Sequence, residues 1–218
     1  MKGVDLYFDF ISPYSYFAWM KLGPLCAKKG AALVARPVLF AGLLNHWGQL
    51  GPAEIPAKRR FLFSDAVRIA ELHGLPFRGP RYHPFNPLTA LRVAVAEAAG
   101  DRQREVIDTL FHAGWGSGID LGSQEEIARA LDDKGLDGRA LLEKAAQAEV
   151  KDALRKSTEE AIGRGVFGVP TMFVGEDLFW GSDRIDHVAL ALDGEDPIDR
   201  EQVAEMLARP AAADRRKG

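Results

Sequence analysis

Cysteine is nearly absent: the chain has one, Cys26, in 218 residues. A single thiol forms no internal disulfide and supplies no cysteine-rich metal site. Histidine is sparse as well. His46, His73, His83, His112 and His187 form no H-E-x-x-H pattern and no close ligand pair, so no metal is expected. No apolar run approaches the roughly 18 residues of a membrane span, which argues against a membrane partner. The start, Met1-Lys2-Gly3-Val4-Asp5, lacks the charged-then-apolar pattern of a signal peptide. Neither sign of charge dominates, since 28 Lys and Arg against 31 Asp and Glu leave a net −3, which argues against a nucleic-acid partner. A G-x-S-x-G elbow and a Gly-rich phosphate loop are both missing, so conventional serine-hydrolase and nucleotide chemistry are not expected. One cysteine and no leader together suggest a reducing cytoplasm, where glutathione is abundant in organisms that make it.

What is present suits one soluble α/β domain carrying an insertion. The chain is 47% hydrophobic and 27% charged, enough apolar surface for a core. Residues 3–11, rich in Val, Leu, Tyr, Phe and Ile, read as a buried strand. Ser12 reads as a helix N-cap with Pro13 at the first helical position, and the helix is expected to stop near Gly30. Residues 33–40 read as a second strand, parallel to the first across a β-α-β unit. From about Ala57 to Gly165 helix formers dominate, with breaks near Gly74–Pro76, Arg78–Pro87, Gly100, Gly114–Gly122 and Gly135–Gly138. Thr171–Val174 and Leu178–Trp180 around Gly175-Glu176-Asp177 read as a β-hairpin. Ser182 or Asp183 is expected to cap a helix through about Leu192, and a short helix should run from Asp199 to Leu207. These signals divide the chain into 1–45 with 166–208, a helical insertion over 46–165, and a flexible tail over 209–218.

Three short motifs carry chemistry. Ser12-Pro13-Tyr14-Ser15 ends the first strand and opens a helix, where free backbone N–H groups and the helix dipole favour an anion such as a thiolate. Ser12 there is either a plain cap or a partner for sulfur. Val169-Pro170 precedes an apolar strand. It is either a trans proline at an edge or a cis proline that turns the Val169 backbone toward the first helix. In the second case an extended peptide can pair with Val169 as an added strand. Trp180-Gly181-Ser182-Asp183 is either an ordinary Ser/Asp cap or a site whose N–H groups take a carboxylate while Asp183 meets an ammonium.

These motifs together resemble the 2-hydroxychromene-2-carboxylate isomerase family, relatives of the kappa-class glutathione transferases. The resemblance rests on residues 7–16 (YFDFISPYSY), 167–175 (FGVPTMFVG) and 180–184 (WGSDR), and extends over nearly the whole chain except the last ten or so residues. It implies a thioredoxin-like fold split by a helical insertion, glutathione as cofactor, and a homodimer. Thioredoxin-like oxidoreductases carry C-x-x-C where this chain has S-x-x-S, so a disulfide oxidoreductase is excluded. By resemblance, Ser12 holds and activates the glutathione sulfur. Val169 and Pro170 meet the cysteinyl backbone, and Trp180, Gly181, Ser182 and Asp183 hold the γ-glutamyl part.

The substrate side departs from the pattern. Where family members place a lysine against the substrate carboxylate, this chain has Leu44 and Asn45. Lys58, Arg59 and Arg60 either supply that charge or form a solvated helix face. Asn86, in Pro84-Phe85-Asn86-Pro87, either approaches substrate as in the family or is a turn residue. Trp47 and Trp115 read as core residues before substrate walls, and Cys26 as a small buried hydrophobe. The family reaction interconverts 2-hydroxychromene-2-carboxylate and trans-o-hydroxybenzylidenepyruvate through a thiol. The alternatives are a kappa-like glutathione transferase or peroxidase, and a thioredoxin-fold binding module without chemistry.

Overall fold

The computed structural model describes residues 3–212. Strand β1 (Gly3–Phe8) leads into helix α1 (Pro13–Lys29) and strand β2 (Ala32–Pro37). Strands β3 (Thr171–Val174) and β4 (Asp177–Trp180) form the expected hairpin. The sheet order is β2-β1-β3-β4, with β1 and β2 parallel and the other two pairings antiparallel. Val4, Leu6 and Phe8 of β1 enter the main core, while Tyr7 enters a second core on the opposite face. Both faces of β1 are therefore covered, which is why its sequence shows no polar alternation.

Every element described between β2 and β3 is helical. The α-helices among them are α2 (Phe40–Trp47), α3 (Pro56–His73), α4 (Leu88–Ala94), α5 (Ala96–Ala99), α6 (Gln103–Phe111), α7 (Gln124–Asp132), α8 (Gly138–Ala145) and α9 (Ala148–Gly163), joined by short helical turns at Pro52–Glu54, Gly100–Arg102 and His112–Gly116. After β4 come a 3₁₀ turn (Ser182–Arg184), α10 (Ile185–Asp193) and α11 (Arg200–Leu207), the last with Asp199 as its side-chain cap. The main core joins Phe8 and Phe10 to Phe111 of α6 and to Leu91, Leu131 and Leu154 of the helical block.

Three boundaries differ from the sequence reading. The first strand stops at Phe8 rather than residue 11, because Asp9 turns the chain: its carboxylate accepts from Ile11 N at 3.0 Å and Phe40 N at 2.9 Å. The second strand stops at Pro37, and Phe40 opens α2, a helix the apolar run through residue 40 conceals. Neither Ser182 nor Asp183 makes a side-chain cap bond; Gly181 precedes the 3₁₀ turn and Arg184 caps α10. Among the tail residues, 209–212 are exposed, and 213–218 lie outside the described residues.

Candidate active site

Ser12 sits where β1 gives way to α1, 8% exposed and in extended conformation. Its Oγ accepts from Ser15 N at 3.2 Å, as a cap does. Its hydroxyl also reaches the Val169 carbonyl at 3.5 Å, the long limit of a hydrogen bond and therefore readily exchanged for a better acceptor. The Val169–Pro170 bond is cis, and Val169 N–H makes no hydrogen bond among the described residues. The Ser15 hydroxyl, one helical turn on, is fully buried and unpartnered.

The third motif is tied to the second. Gly181 N donates to the Pro170 carbonyl at 2.9 Å. Gly181 has φ 102°, a left-handed conformation that glycine tolerates, and a Cβ there would strike Asp183 Oδ1. Gly168 is required by close approach: a Cβ would lie 2.7 Å from Trp180 Nε1. Trp180 is 52% exposed, and its ring meets Phe167 edge to face with the ring centroids 5.0 Å apart. Ser182 is buried, and the exposed Asp183 carboxylate lies 3.2 Å from the Arg184 guanidinium. Asp183 is also close enough to help hold the Tyr14 phenol protonated, after burial and the 2.9 Å bond to Asp65. Ser12, Val169, Pro170, Trp180, Gly181, Ser182 and Asp183 thus gather at one end of the sheet, on the α1 N-terminus.

The helical block braces this turn from behind. The His83 ring donates through Nε2 to the Ile11 carbonyl at 2.9 Å, leaving Nδ1 buried and without a partner. Burial chiefly, with Arg59 adding to it, holds the His83 pKa below the ordinary value, so its imidazole is neutral at pH 7. Trp115 is fully buried. It donates to the Phe10 carbonyl at 2.8 Å and stacks on Phe77 at 5.7 Å. Ser12 N closes the turn on the Asp9 carbonyl at 3.2 Å. Burial pushes the Asp9 carboxyl up to about 7, against the two backbone N–H groups that favour its charge.

The three substrate-side residues are placed differently. Arg59 on α3 donates to the His83 carbonyl at 3.1 Å and lies over the Phe63 ring, which sets it beside the braced loop. Asn86 accepts from Leu88 N at 3.1 Å and so turns the chain into α4. Asn45 is exposed on the last turn of α2, and its side chain makes no hydrogen bond among the described residues. Trp47 anchors α2 through Nε1 to the Val166 carbonyl at 2.9 Å. The sequence reading gave Asp9, Tyr14 and His83 no role in the site. Asp9 has a local signal, an acidic residue inside an apolar run, whereas His83 meets Ile11 across 72 positions.

The model of a DSBA-like thioredoxin domain matches residues 3–193. The chain belongs to the DSBA-like thioredoxin family. Within that family it falls among the 2-hydroxychromene-2-carboxylate isomerases and their kappa-class relatives. This DSBA-like domain is 36% identical to 2-hydroxychromene-2-carboxylate isomerase of Sphingobium xenophagum, over 85% of this chain and 95% of the relative. It is 31% identical to glutathione S-transferase kappa 2 of Caenorhabditis elegans, over 86% and 90% of the two chains. A solved structure of 2-hydroxychromene-2-carboxylate isomerase superposes with a TM-score of 0.81 at 28% identity, over 94% of this chain and 98% of that one. The relatives of this DSBA-like domain are thus enzymes named for isomerase and glutathione transferase activities. Among the described residues no helix is long and apolar enough to cross a membrane, and no cluster of metal-ligating side chains occurs.

Proposed function

We propose that the protein is a glutathione-dependent isomerase that interconverts 2-hydroxychromene-2-carboxylate and trans-o-hydroxybenzylidenepyruvate. The observation that carries the reading is the meeting of the Ser12 hydroxyl with the Val169–Pro170 backbone, with Gly181 bonded to Pro170 beside them. The residues fit the cofactor on their own chemistry. The unpaired Val169 N–H suits an extended peptide, the first N–H groups of the 3₁₀ turn suit a carboxylate, and the exposed Asp183 carboxylate suits an ammonium. When bound, glutathione supplies a thiol that adds reversibly to a conjugated double bond, permitting rotation before it leaves.

Each residue has a task in that scheme. Ser12 moves its hydrogen bond from the Val169 carbonyl to the cofactor sulfur and, with the α1 N-terminus, favours the thiolate. It is not the attacking atom. Val169 and Pro170 fix the cysteinyl backbone, and Trp180 to Asp183 fix the γ-glutamyl end. We place the substrate against the helical module of residues 46–165, with Arg59 as the cation for its carboxylate and Asn45 and Asn86 at its rim. A cytoplasmic homodimer completes this reading.

The relationship to kappa 2, at 31% identity, favours a second reading: a transferase or peroxidase for small electrophiles using the same cofactor site. One experiment separates the two. Protein, glutathione and 2-hydroxychromene-2-carboxylate are mixed and the trans product is followed, in parallel with conjugation of a chloronitrobenzene. The proposal expects rapid, glutathione-dependent isomerisation and little conjugation. The reverse pattern favours the transferase, isomerisation without glutathione refutes the glutathione-dependent isomerase, and absence of both activities refutes both readings.

A further inference from the structure

A second concave site lies within the helical block and shares no lining residue with the Ser12 site. It is a cavity of about 260 Å³ whose polar wall is Thr89 and Arg92 from α4, Gln124 from α7 and Lys151 from α9. Leu142 and Ala145 of α8 supply an apolar wall, and no acidic residue lines it. None of the four polar side chains makes a hydrogen bond or ion pair among the described residues. The Arg92 Nε is buried as well as unpartnered.

Several arginines elsewhere meet carboxylates, as Arg36 and Arg164 meet Asp5, Arg102 meets Glu105, and Arg200 meets Asp177, whereas Arg92 beside this cavity meets none. Of the acids beside the lining residues, Asp152 and Glu126 are engaged, and Glu125 and Glu149 do not line the cavity. Asp152, next to Lys151, is held by Arg155 and Lys156. Glu126, two residues after Gln124, is held by Arg81 and Asp120 N. Two cations therefore border one cavity without a counter-charge. Gln124 also opens α7, where the first backbone N–H groups have no intrahelical acceptor. A buried donor without an acceptor is rare in native proteins, and an acceptor from outside the chain accounts for it.

We propose that this cavity binds a compact oxyanion, a phosphate or small carboxylate, held chiefly by Arg92 and Lys151. The guanidinium fork suits paired oxygens, the ammonium acts as a point charge, and Gln124 and Thr89 complete the donors. The volume lies below the roughly 300–1,000 Å³ of drug-sized sites, which limits the ligand to a few heavy atoms. The inference is independent of the chemistry assigned to Ser12.

Calorimetric titration of the full chain with inorganic phosphate and, separately, malonate tests it, with ionic strength held constant by sodium chloride. The expected result is one saturable site, weakened roughly tenfold or more in Lys151→Met and in Arg92→Gln and unchanged in Ser12→Ala. Lys151 is exposed, so its variant folds whatever Arg92→Gln does. Tighter phosphate identifies a phosphate-type ligand, and tighter malonate a carboxylate. Absence of saturable binding of both anions overturns the proposal. So does binding that Lys151→Met leaves intact, or binding that disappears with Ser12→Ala.

Discussion

Ser12, Asp183 and Asp9 act within a few residues of one another in space, yet each answers to a different force. Ser12 is an N-cap whose second hydrogen bond, to Val169, is long enough to surrender. Asp183 is an exposed carboxylate on a turn shaped by Gly181. Because it is solvated, its contribution to binding an ammonium is modest. Asp183→Ala should weaken glutathione binding by roughly threefold to tenfold in an equilibrium titration, with Tm unchanged. An unchanged affinity would place the amino end of the cofactor elsewhere. Asp9 is fully buried, and its pKa of about 7 stands above the ordinary 3.8. Between those values the folded chain keeps a proton that the unfolded chain has released, so stability falls as pH rises through the window and levels off above it. Urea unfolding should show the protein losing on the order of 2–4 kcal/mol from pH 5 to pH 8 through this group. Asp9→Asn should remove most of that slope, and an equal slope in the variant would assign it to other groups.

At the scale of elements, legibility followed locality. Helix α1 and the β3–β4 hairpin announce themselves through Ser12-Pro13, Gly30 and Gly175, which act on the residues beside them. Helix α2 does not, because Val38-Leu39-Phe40 continues a strand pattern and the helix start is fixed by Asp9, 31 positions earlier. The break between α8 and α9 at residues 146–147 has no glycine or proline to mark it. Of the candidate site, the Ser12, Val169–Pro170 and Gly181–Asp183 motifs could be located because each is short and local. Each alone also read as an ordinary cap or edge proline, and only their order together was specific. Their bracing could not be located this way. Trp115 reaches the Phe10 carbonyl across 105 positions, a contact no local pattern encodes. Trp115→Phe should cost about 1–3 kcal/mol, since it leaves a buried carbonyl without its donor. Chemical denaturation checks the loss, and a cost within error would make the indole bond incidental.

For the whole molecule, the helical block and the sheet share one core, so the block braces the turn that carries Ser12. Phe111 of α6 packs at 4.7 Å from Phe10, directly beneath the turn that carries Ser12. His83 and Trp115 hold the carbonyls of Ile11 and Phe10 from the same side. The S-x-x-S motif thus sits on a rigid base, with hydroxyls where a disulfide oxidoreductase has sulfurs. In the proposed function the sulfur arrives with glutathione and Ser12 keeps it ionised. The most direct test is a pH titration of thiolate absorbance in the glutathione complex of the wild-type protein and of Ser12→Ala. The wild-type complex should form thiolate well below the ~8.5 of an ordinary thiol, and Ser12→Ala should shift that midpoint upward by about one unit or more. Identical midpoints in the two complexes would contradict the account.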